Sequence, residues 1–193
     1  MQVRLATEQE YEAIGQLTAA LKKTGQLYNT LIILTSDNGP VLDDGYADGA
    51  ETDLNGHTPA GPLRGGKYSH YEGGTRLPFI VHWPQRVKPG VSDALVSQVD
   101  LLASLAALTG TEVTARDSQN VLPALLGEAK TGRASLVEQG QGLALREGQW
   151  KYVSRTGELY DLSRDLGETK NLASAEPERA ARMKATLASI SGQ

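Results

Sequence analysis

The 193-residue sequence predicts an α/β fold, in which an α/β core is followed by a small antiparallel sheet packed with a helix. A helix-like segment at 7–25 precedes the continuous apolar run 31–34, as expected for a helix and a buried strand of an α/β unit. After residue 134, short apolar stretches alternate with glycine-containing turns, which is typical of an antiparallel meander. We therefore expect two domains, the α/β core at 1–130 and the sheet-plus-helix subdomain at 131–193.

The segment 7–25 carries helix signals at both ends. Thr7 and Glu10 form a Thr-x-x-Glu capping box, which satisfies free backbone N–H groups of the first turn. Gly25 suits the left-handed cap at the other end. The apolar residues between them recur every three or four positions: Tyr11, Ile14, Leu17 and Leu21. The segment should therefore be a surface helix with one apolar face.

The run Leu31–Leu34 is apolar without interruption, which favours a strand buried on both faces of a parallel sheet. Asp37 and Asn38 follow it, at the position where open α/β sheets place their ligands. The Gly-rich loop 39–76 comes next, and its length is typical of a functional or a disordered segment. A second apolar run at 77–84 predicts the strand that closes this loop.

The rest of the chain predicts two short helices, a meander and a final helix. Asp100 is the predicted N-cap of a helix that ends at Gly110, and 121–127 predicts a helical turn. The predicted strands of the meander lie within 134–140, 142–148, 149–155 and 157–163. Pro177 suits the first turn of the final helix, whose apolar stripe should cover the sheet. That stripe consists of Ala180, Met183, Leu187 and Ile190.

The composition excludes several classes of protein. The absence of cysteine rules out a disulfide framework, a thiolate zinc site, an iron–sulfur cluster and a cysteine nucleophile. A net charge of -4 argues against a nucleic-acid partner. No apolar run is long enough to span a membrane, and the first ten residues lack the apolar core of a signal peptide.

The sign of the charge changes along the chain. Residues 24–63 hold no Lys or Arg, and their acids are Asp37, Asp43, Asp44, Asp48, Glu51 and Asp53. Residues 64–92 are basic, with Arg64, Lys67, Arg76, Arg86 and Lys88 against Glu72. This pattern fits either a site for a divalent cation and an anionic substrate, or two solvated loops that attract each other.

Three groups of residues are candidates for chemistry. Ser36–Gly39 offers a carboxylate and a carboxamide oxygen to a hard cation, although such a tetrapeptide is also a common turn. Lys67 follows two glycines and could meet an oxyanion, or stand in an ordinary glycine turn. His57 and His70 flank this motif and could bind an anion or transfer a proton, whereas His82 is expected to be a packing or edge residue of a strand.

Five segments, taken in order, resemble the C-terminal half of a sulfatase of the bacterial arylsulfatase type. The segments are TGQLYNTLIILTSDNGP (24–40), GPLRGGKYSHYEGGTRLPFIVHWPQRVKPG (61–90), SDALVSQVDLLASLAALTG (92–110), REGQWKYV (146–153) and GELYDLSRDLGETKNLA (157–173). Each segment is a weak signal alone, but their common order is specific, and the resemblance covers about residues 11–190. It implies hydrolysis of a sulfuric ester and a partial alkaline-phosphatase-like core.

The resemblance also implies roles for individual residues. In sulfatases the Asp-Asn pair at this strand end ligates a divalent metal, usually Ca²⁺, so Asp37 and Asn38 are the predicted metal ligands. The lysine of the Arg-Gly-Gly-Lys segment contacts sulfate, so Lys67 is the predicted catalytic and substrate-binding residue. His57 is a further candidate substrate contact. The YEGGTR segment is expected to hold the loop geometry through Glu72 and Arg76.

The sequence departs from the sulfatase pattern in what it lacks. Sulfatases convert the Cys or Ser of a Cys/Ser-x-Pro-x-Arg motif to formylglycine, and neither version of that motif occurs here. The family's N-terminal aspartate pair and its central Lys/His segment are missing too. We therefore expect a C-terminal fragment that is inactive alone and could pair with a separate N-terminal half. Its substrate would be an aryl or carbohydrate sulfate, and its location, in a family often periplasmic, secreted or lysosomal, stays unassigned.

Two alternatives to this interpretation stay open. The chain could be a non-catalytic remnant that binds calcium or a sulfated glycan. It could also belong to a hydrolase of the same superfamily that acts on phosphate esters.

Overall fold

The computed structural model describes residues 8–41, 43, 45, 49–50 and 52–192, with the backbone alone for residues 8–11. Two compact units form, one from the described residues of Met1–Thr35 and Pro78–Ala134 and the other from those of Ser36–Leu77 and Ser135–Gln193. The predicted domain boundary after residue 130 stays a prediction, because compactness alone does not define a domain. Among the described residues, no helix is both long and apolar enough to cross a membrane.

The first unit begins with helix α1 (Glu8–Lys23), which confirms the predicted helix. Gly25 has a φ of 73° and ends it in the left-handed conformation, as expected. The proposed capping box cannot be described, since Thr7 lies outside the described residues. The same holds for the acids Asp44, Asp48 and Glu51 of the acidic segment.

Strands β1 (Ile32–Thr35) and β2 (Phe79–His82) pair antiparallel, with Ile33 opposite Val81. Both predicted strands are confirmed, but their pairing is antiparallel, whereas the apolar run 31–34 favoured a parallel sheet around β1. The expected burial on both faces is also incomplete, since 38% of Leu34 is exposed. An uninterrupted apolar run is common in parallel sheets, but it does not fix the direction of any one neighbouring strand. That direction depends on the route of the intervening chain.

Helices α3 (Leu101–Thr109) and α4 (Leu122–Leu125) complete the first unit and confirm the two predicted helical segments. Its core is formed by Val121, Ala124 and Leu125, against which Phe79 and Val81 of β2 pack. Strand β2 therefore packs against the apolar core that α4 and Val121 form in this unit.

Asp100 precedes α3 as predicted, but its carboxylate does not cap that helix. The two oxygens instead accept hydrogen bonds from the backbone N–H groups of Ser97 (3.1 Å) and Gln119 (2.9 Å). Arg133 donates to the same carboxylate, with Nε 2.7 Å from Oδ2 and Nη2 2.8 Å from Oδ1. The buried carboxylate thus joins three segments of the unit, and its position before α3 is incidental to this contact.

The second unit contains a four-stranded antiparallel meander, which confirms the prediction for residues 134–163. Its strands are β3 (Ser135–Gln139), β4 (Leu143–Glu147), β5 (Trp150–Val153) and β6 (Glu158–Asp161). Helix α5 (Pro177–Ser191) covers one face of the sheet. Met183 and Leu187 of α5 are buried against Leu145, Tyr152 and Leu159. Ile190 was predicted to share this stripe but is 54% exposed.

The same unit includes residues 36–77, most of which were predicted to be a loop. This segment contains a short helix, α2 (Glu72–Thr75), at the EGG sequence. Tyr71, just before it, packs against the second face of the meander beside Val153 and Tyr160. The long loop is therefore anchored on the sheet and supplies the residues of the candidate site.

Candidate functional site

The candidate site begins with the turn that follows β1 in the chain. Asp37 is exposed, and its Oδ1 accepts a hydrogen bond from the backbone N–H of Asn38 at 3.0 Å. The amide nitrogen of Asn38 donates to the carbonyl of Gly39 at 2.9 Å. Within the described chain, its oxygen Oδ1 accepts no hydrogen bond. A carboxylate and a carboxamide oxygen are therefore available to a ligand.

Glycines allow this turn to approach the basic motif. The N–H of Gly39 donates to Gly74 O at 3.1 Å, and a Cβ at Gly39 would overlap the carbonyl of Gly73. The N–H of Lys67 donates to Pro40 O at 2.8 Å. Since a side chain at Gly39 would push these backbones apart, the glycine is required for the contact. The Asp-Asn turn and Lys67 are thereby held next to each other.

An open cleft of about 450 Å³ lies where these segments meet. It is lined by Asn38, Lys67, Tyr68, Gln139, Gly140 and Gln141. Lys67 forms no ion pair with any carboxylate that the structure describes, and its Nζ lies 5.3 Å from the centroid of the Tyr68 ring. The cleft therefore offers to an anion an ammonium group that has no carboxylate partner among the described residues.

The turn between β3 and β4 forms the opposite wall of the cleft. Gln141 N–H donates to the carbonyl of Tyr68 at 2.8 Å, and a Cβ at Gly140 would overlap the backbone of residues 68–70. Tyr68 has a φ of 72°, in the left-handed region that aromatic residues rarely adopt. The residue is 59% exposed. The sheet thus holds Tyr68 in a strained backbone conformation beside Lys67.

A buried ion cluster supports the loop from the side of the sheet. Glu72, at the start of α2, is fully buried and accepts hydrogen bonds from Arg76 at 3.0 Å, Arg146 at 3.1 Å and Lys151 at 3.0 Å. Its backbone N–H donates to the carboxylate of Glu168 at 2.6 Å. The expectation that Glu72 and Arg76 hold the loop geometry is therefore confirmed.

Lys151 stands at the centre of this ion cluster. Its ammonium lies 3.0 Å from Glu138 and 3.3 Å from Glu168, in addition to Glu72. Burial by itself would lower the pKa of Lys151, but the three carboxylates outweigh burial and raise it. Burial would likewise raise the pKa of Glu72, yet the charges of Lys151 and Arg146 hold it below the ordinary value. For Glu138 and Glu168 burial dominates and raises the pKa.

Arg64 belongs to a second anchor of the loop. Its Nη1 donates to the hydroxyl of Tyr160 at 2.9 Å and to the carbonyl of Glu168 at 3.1 Å, and its guanidinium lies 3.7 Å from the Tyr71 ring centroid. Burial, and next the charge of Glu158, raises the pKa of Tyr160 to about 12, so Tyr160 stays a neutral partner. Of the two cations in the Arg-Gly-Gly-Lys motif, Arg64 packs on the sheet while Lys67 faces the cleft.

The three histidines lie in different surroundings. His57 lines a separate hollow of about 290 Å³ with Gly49, Ala50, Asp53 and Leu54. It is thus not among the residues that line the cleft of Lys67. His70 is buried, and neither ring nitrogen has a hydrogen-bond partner among the described residues. His82 is the last residue of β2, in agreement with its predicted position in a strand.

Asp37 and Asn38 supply two oxygen donors of the kind that bind a divalent cation. The oxygens of Asp37 and Asn38 are of the hard type that Ca²⁺ prefers. They are two donors, whereas Ca²⁺ takes six to eight. Among the described residues, no group of three or more His, Asp or Glu side chains is placed to hold a metal ion. The pair therefore fits as part of a metal site.

Comparison with known proteins identifies the family. Residues 11–111, just over half of the chain, match the family model for Sulfatase. The chain belongs to the sulfatase family. The match includes Asp37, Asn38, His57 and Lys67, and it confirms the resemblance found in the sequence. The role of each of these residues stays a prediction.

Sequence relatives extend this sulfatase assignment beyond residue 111. The chain is 46% identical to an N-acetylgalactosamine-6-O-sulfatase of Bacteroides thetaiotaomicron, over 92% of this chain and 39% of the relative. It is 34% identical to human arylsulfatase A, over 86% of this chain and 38% of that protein. This sulfatase chain thus spans about two fifths of the length of these relatives.

A solved structure supports the fold assignment. The chain matches a Bacteroides thetaiotaomicron protein, described in connection with the metabolism of multiple glycosaminoglycans, with a TM-score of 0.86 and 44% identity. The match covers 93% of this chain and 42% of that one. The prediction of a partial α/β fold of the alkaline-phosphatase-like sulfatase type is therefore confirmed.

Proposed function

We propose that this chain contributes two metal ligands and a sulfate-binding lysine to the hydrolysis of a sulfate ester. Asp37 and Asn38 are the proposed metal ligands, and Lys67 is the proposed catalytic and sulfate-binding residue. The observation that carries the proposal is the cleft lined by both Asn38 and Lys67, in which the lysine has no carboxylate partner among the described residues. Membership of the sulfatase family supports the same chemistry.

The proposed chemistry of this chain is the binding and neutralisation of a sulfate group. The ammonium of Lys67 is a compact charge suited to a tetrahedral oxyanion, and the open cleft leaves room for it. A metal ion held in part by Asp37 and Asn38 would add positive charge beside the sulfate oxygens. Fixed positive charge of this kind stabilises the negative charge that develops as the ester bond breaks.

The nucleophile of the reaction is not assigned to this chain. It has no cysteine and no Ser-x-Pro-x-Arg segment, so none of its residues fits the formylglycine of the family. The described residues are therefore given binding roles and no bond-making step. We expect the isolated chain to show no turnover of an aryl sulfate, and a measured rate abolished by Lys67→Ala would contradict this.

The substrate proposed for the site is a sulfated sugar. The N-acetylgalactosamine-6-O-sulfatase among the relatives supports a 6-O-sulfated sugar in preference to a simple aryl sulfate. His57 stays a predicted substrate contact, and a large substrate would have to extend from the cleft to the hollow that His57 lines.

Calorimetric titration of the chain with CaCl₂ and with sodium sulfate tests the proposal. Asp37→Ala should weaken calcium binding, and Lys67→Ala should weaken sulfate binding by about tenfold or more, the loss expected when a charged partner is removed. Lys184→Ala removes an exposed lysine of α5 and should change neither titration. The absence of heat with both ions would refute the proposal, and tighter binding of phosphate than of sulfate would favour the phosphate-ester alternative.

A further inference from the structure

We infer that the cleft beside Lys67 contains a subsite for the sugar ring of the substrate, formed by the Tyr68 ring and the amides of Gln139 and Gln141. This inference rests on the proposed function, because it takes Lys67 as the group that binds the sulfate. It adds the residues that would bind the sugar ring of that sulfated substrate. None of these three residues belongs to the predicted metal and sulfate sites.

Tyr68 has the exposure and the strain of a ligand-binding residue. Tyr68 is 59% exposed and lines the cleft, although a large aromatic side chain gains free energy when its surface leaves water. Its φ of 72° costs about 1–3 kcal/mol for a residue other than glycine. The surrounding contacts must offset that cost, and they do so while leaving the ring open to solvent.

The sheet provides those contacts at the turn between β3 and β4. The N–H of Gln141 holds the carbonyl of Tyr68 at 2.8 Å, and Gly140 packs backbone to backbone on residues 68–70. Gln139 and Gln141 stand on either side of Gly140, and both line the cleft. The same turn that holds Tyr68 in its strained conformation therefore brings two glutamines to the cleft.

The distance between Lys67 and Tyr68 suits a ligand in which a sulfate is attached to a ring. Lys67 Nζ lies 5.3 Å from the centroid of the Tyr68 ring, so an anion on the ammonium has the aromatic face beside it. The group esterified to that anion would then lie against Tyr68. A pyranose has an apolar face that can pack on an aromatic ring and hydroxyls at its edge.

The polar lining distinguishes a sugar from an aryl group. A carboxamide can donate and accept hydrogen bonds, which suits neighbouring hydroxyls of a sugar. Apart from Lys67, the residues that line the cleft carry no charge. Neutral hydrogen-bonding groups around an aromatic surface are typical of sites that orient a neutral, polar ligand. An aryl sulfate would leave both carboxamides unused.

The test compares the binding of galactose 6-sulfate and of inorganic sulfate to the full chain in CaCl₂, by calorimetry. Tyr68→Asn removes the ring but keeps a residue that tolerates positive φ. This substitution should weaken the binding of galactose 6-sulfate about tenfold and change the affinity for inorganic sulfate by less than about twofold. Tyr68→Phe retains the ring and should keep most of the affinity for the sugar sulfate.

The glutamines are tested with a matched pair of variants. Gln141→Ala removes a carboxamide that lines the cleft, and Gln149→Ala removes an exposed one at the other end of β4. Gln141→Ala should weaken the binding of galactose 6-sulfate about fivefold, which corresponds to the loss of one hydrogen bond. Gln149→Ala should leave this affinity unchanged. Neither variant should affect inorganic sulfate.

Several outcomes would overturn the inference. Equal losses for both ligands in Tyr68→Asn would show that the ring only orients Lys67. Binding of 4-nitrophenyl sulfate as tight as that of galactose 6-sulfate, and unaffected by Gln141→Ala, would exclude a sugar subsite. If the chain binds inorganic sulfate but the sugar sulfate no more tightly, the subsite fails while the proposed function stands. If it binds neither, the proposed function fails and the subsite with it.

Discussion

The ammonium of Lys151 lies 3.0 Å from the carboxylate of Glu72, and both side chains are completely buried. Lys151 stands on β5, and Glu72 begins α2, so the contact joins the sheet to the loop that carries Lys67. The EGG segment continues from Glu72 into Gly73 and Gly74, which contact the backbones of the two proposed ligand segments. The ion cluster therefore supports the candidate site without lining it.

Lys151→Met should destabilise the second unit strongly. The substitution preserves much of the volume but leaves Glu72, Glu138 and Glu168 buried without their common cation. Breaking a buried pair in this way costs about 3–5 kcal/mol. Urea unfolding followed by Trp150 fluorescence, in a Trp83→Phe background that removes the other tryptophan, would measure the loss.

Lys184→Met is the matched control for that measurement. Lys184 is an exposed residue of α5, and its substitution should change the free energy of unfolding by less than about 0.5 kcal/mol. Equal stabilities of the Lys151→Met and Lys184→Met variants would contradict the role given to the ion cluster.

Gly39→Ala should disrupt the contact between the Asp-Asn turn and α2. The added methyl group would overlap the carbonyl of Gly73, and a main-chain atom cannot move aside as a flexible side chain can. We expect a loss of about 1–3 kcal/mol in unfolding free energy and weaker sulfate binding in calorimetry. Gly90→Ala places its methyl in open space and should be neutral in both measurements. Wild-type stability and sulfate affinity in Gly39→Ala would show that the close approach is not required.

Asp100→Asn should destabilise the first unit by about 3 kcal/mol or more, because it leaves the guanidinium of Arg133, with 9% of its side chain exposed, without a charged partner. Burial would raise the pKa of Asp100, but the hydrogen bonds from Arg133 and two backbone N–H groups hold it below 3.8. The ionised carboxylate of Asp100 therefore contributes its full stabilisation of the folded chain above pH 3.8. This stabilisation is lost as the pH falls through the lower pKa that Asp100 has in the folded chain.

Urea unfolding of a Trp150→Phe background, followed by Trp83 fluorescence, measures the Asp100 effect at pH 7 and at pH 3. The difference between wild type and Asp100→Asn should be smaller at pH 3. A difference that is the same at both values would mean that the carboxylate charge does not matter.

His70 should make the second unit less stable at mildly acidic pH. Burial, followed by the charge of Lys151, lowers the pKa of His70 below 6.5, so the folded chain disfavours the protonated ring. The contribution of neutral His70 to the free energy of unfolding is fully present above pH 6.5. It is lost as the pH falls from 6.5 towards the pKa of His70 in the folded chain, because the unfolded chain binds the proton first. In His70→Leu, the fall in unfolding free energy between pH 7.5 and pH 5.5 should be smaller than in wild type. An unchanged pH dependence would show that another group causes it.

Local signals predicted the secondary structure well. The alternation of short apolar stretches and glycine turns predicted β3 to β6, and the periodicity after Pro177 predicted α5. The antiparallel direction of β2 relative to β1 was not predicted, because it depends on how the segment between them folds. Lys151 gave no signal at all, since a single lysine in a strand is usually exposed.

For the candidate site, the sequence by itself determined the residue types and the family. The Asp37-Asn38 pair and Lys67 were found from motifs that need only neighbouring residues, and the family match covers them. Only the tertiary structure decided that Asn38 and Lys67 share a cleft and that His57 lines another hollow. It also brought Gln141 to Tyr68, more than seventy positions away in the chain. Contacts of this kind depend on close backbone packing between distant segments, which no local pattern of residues encodes.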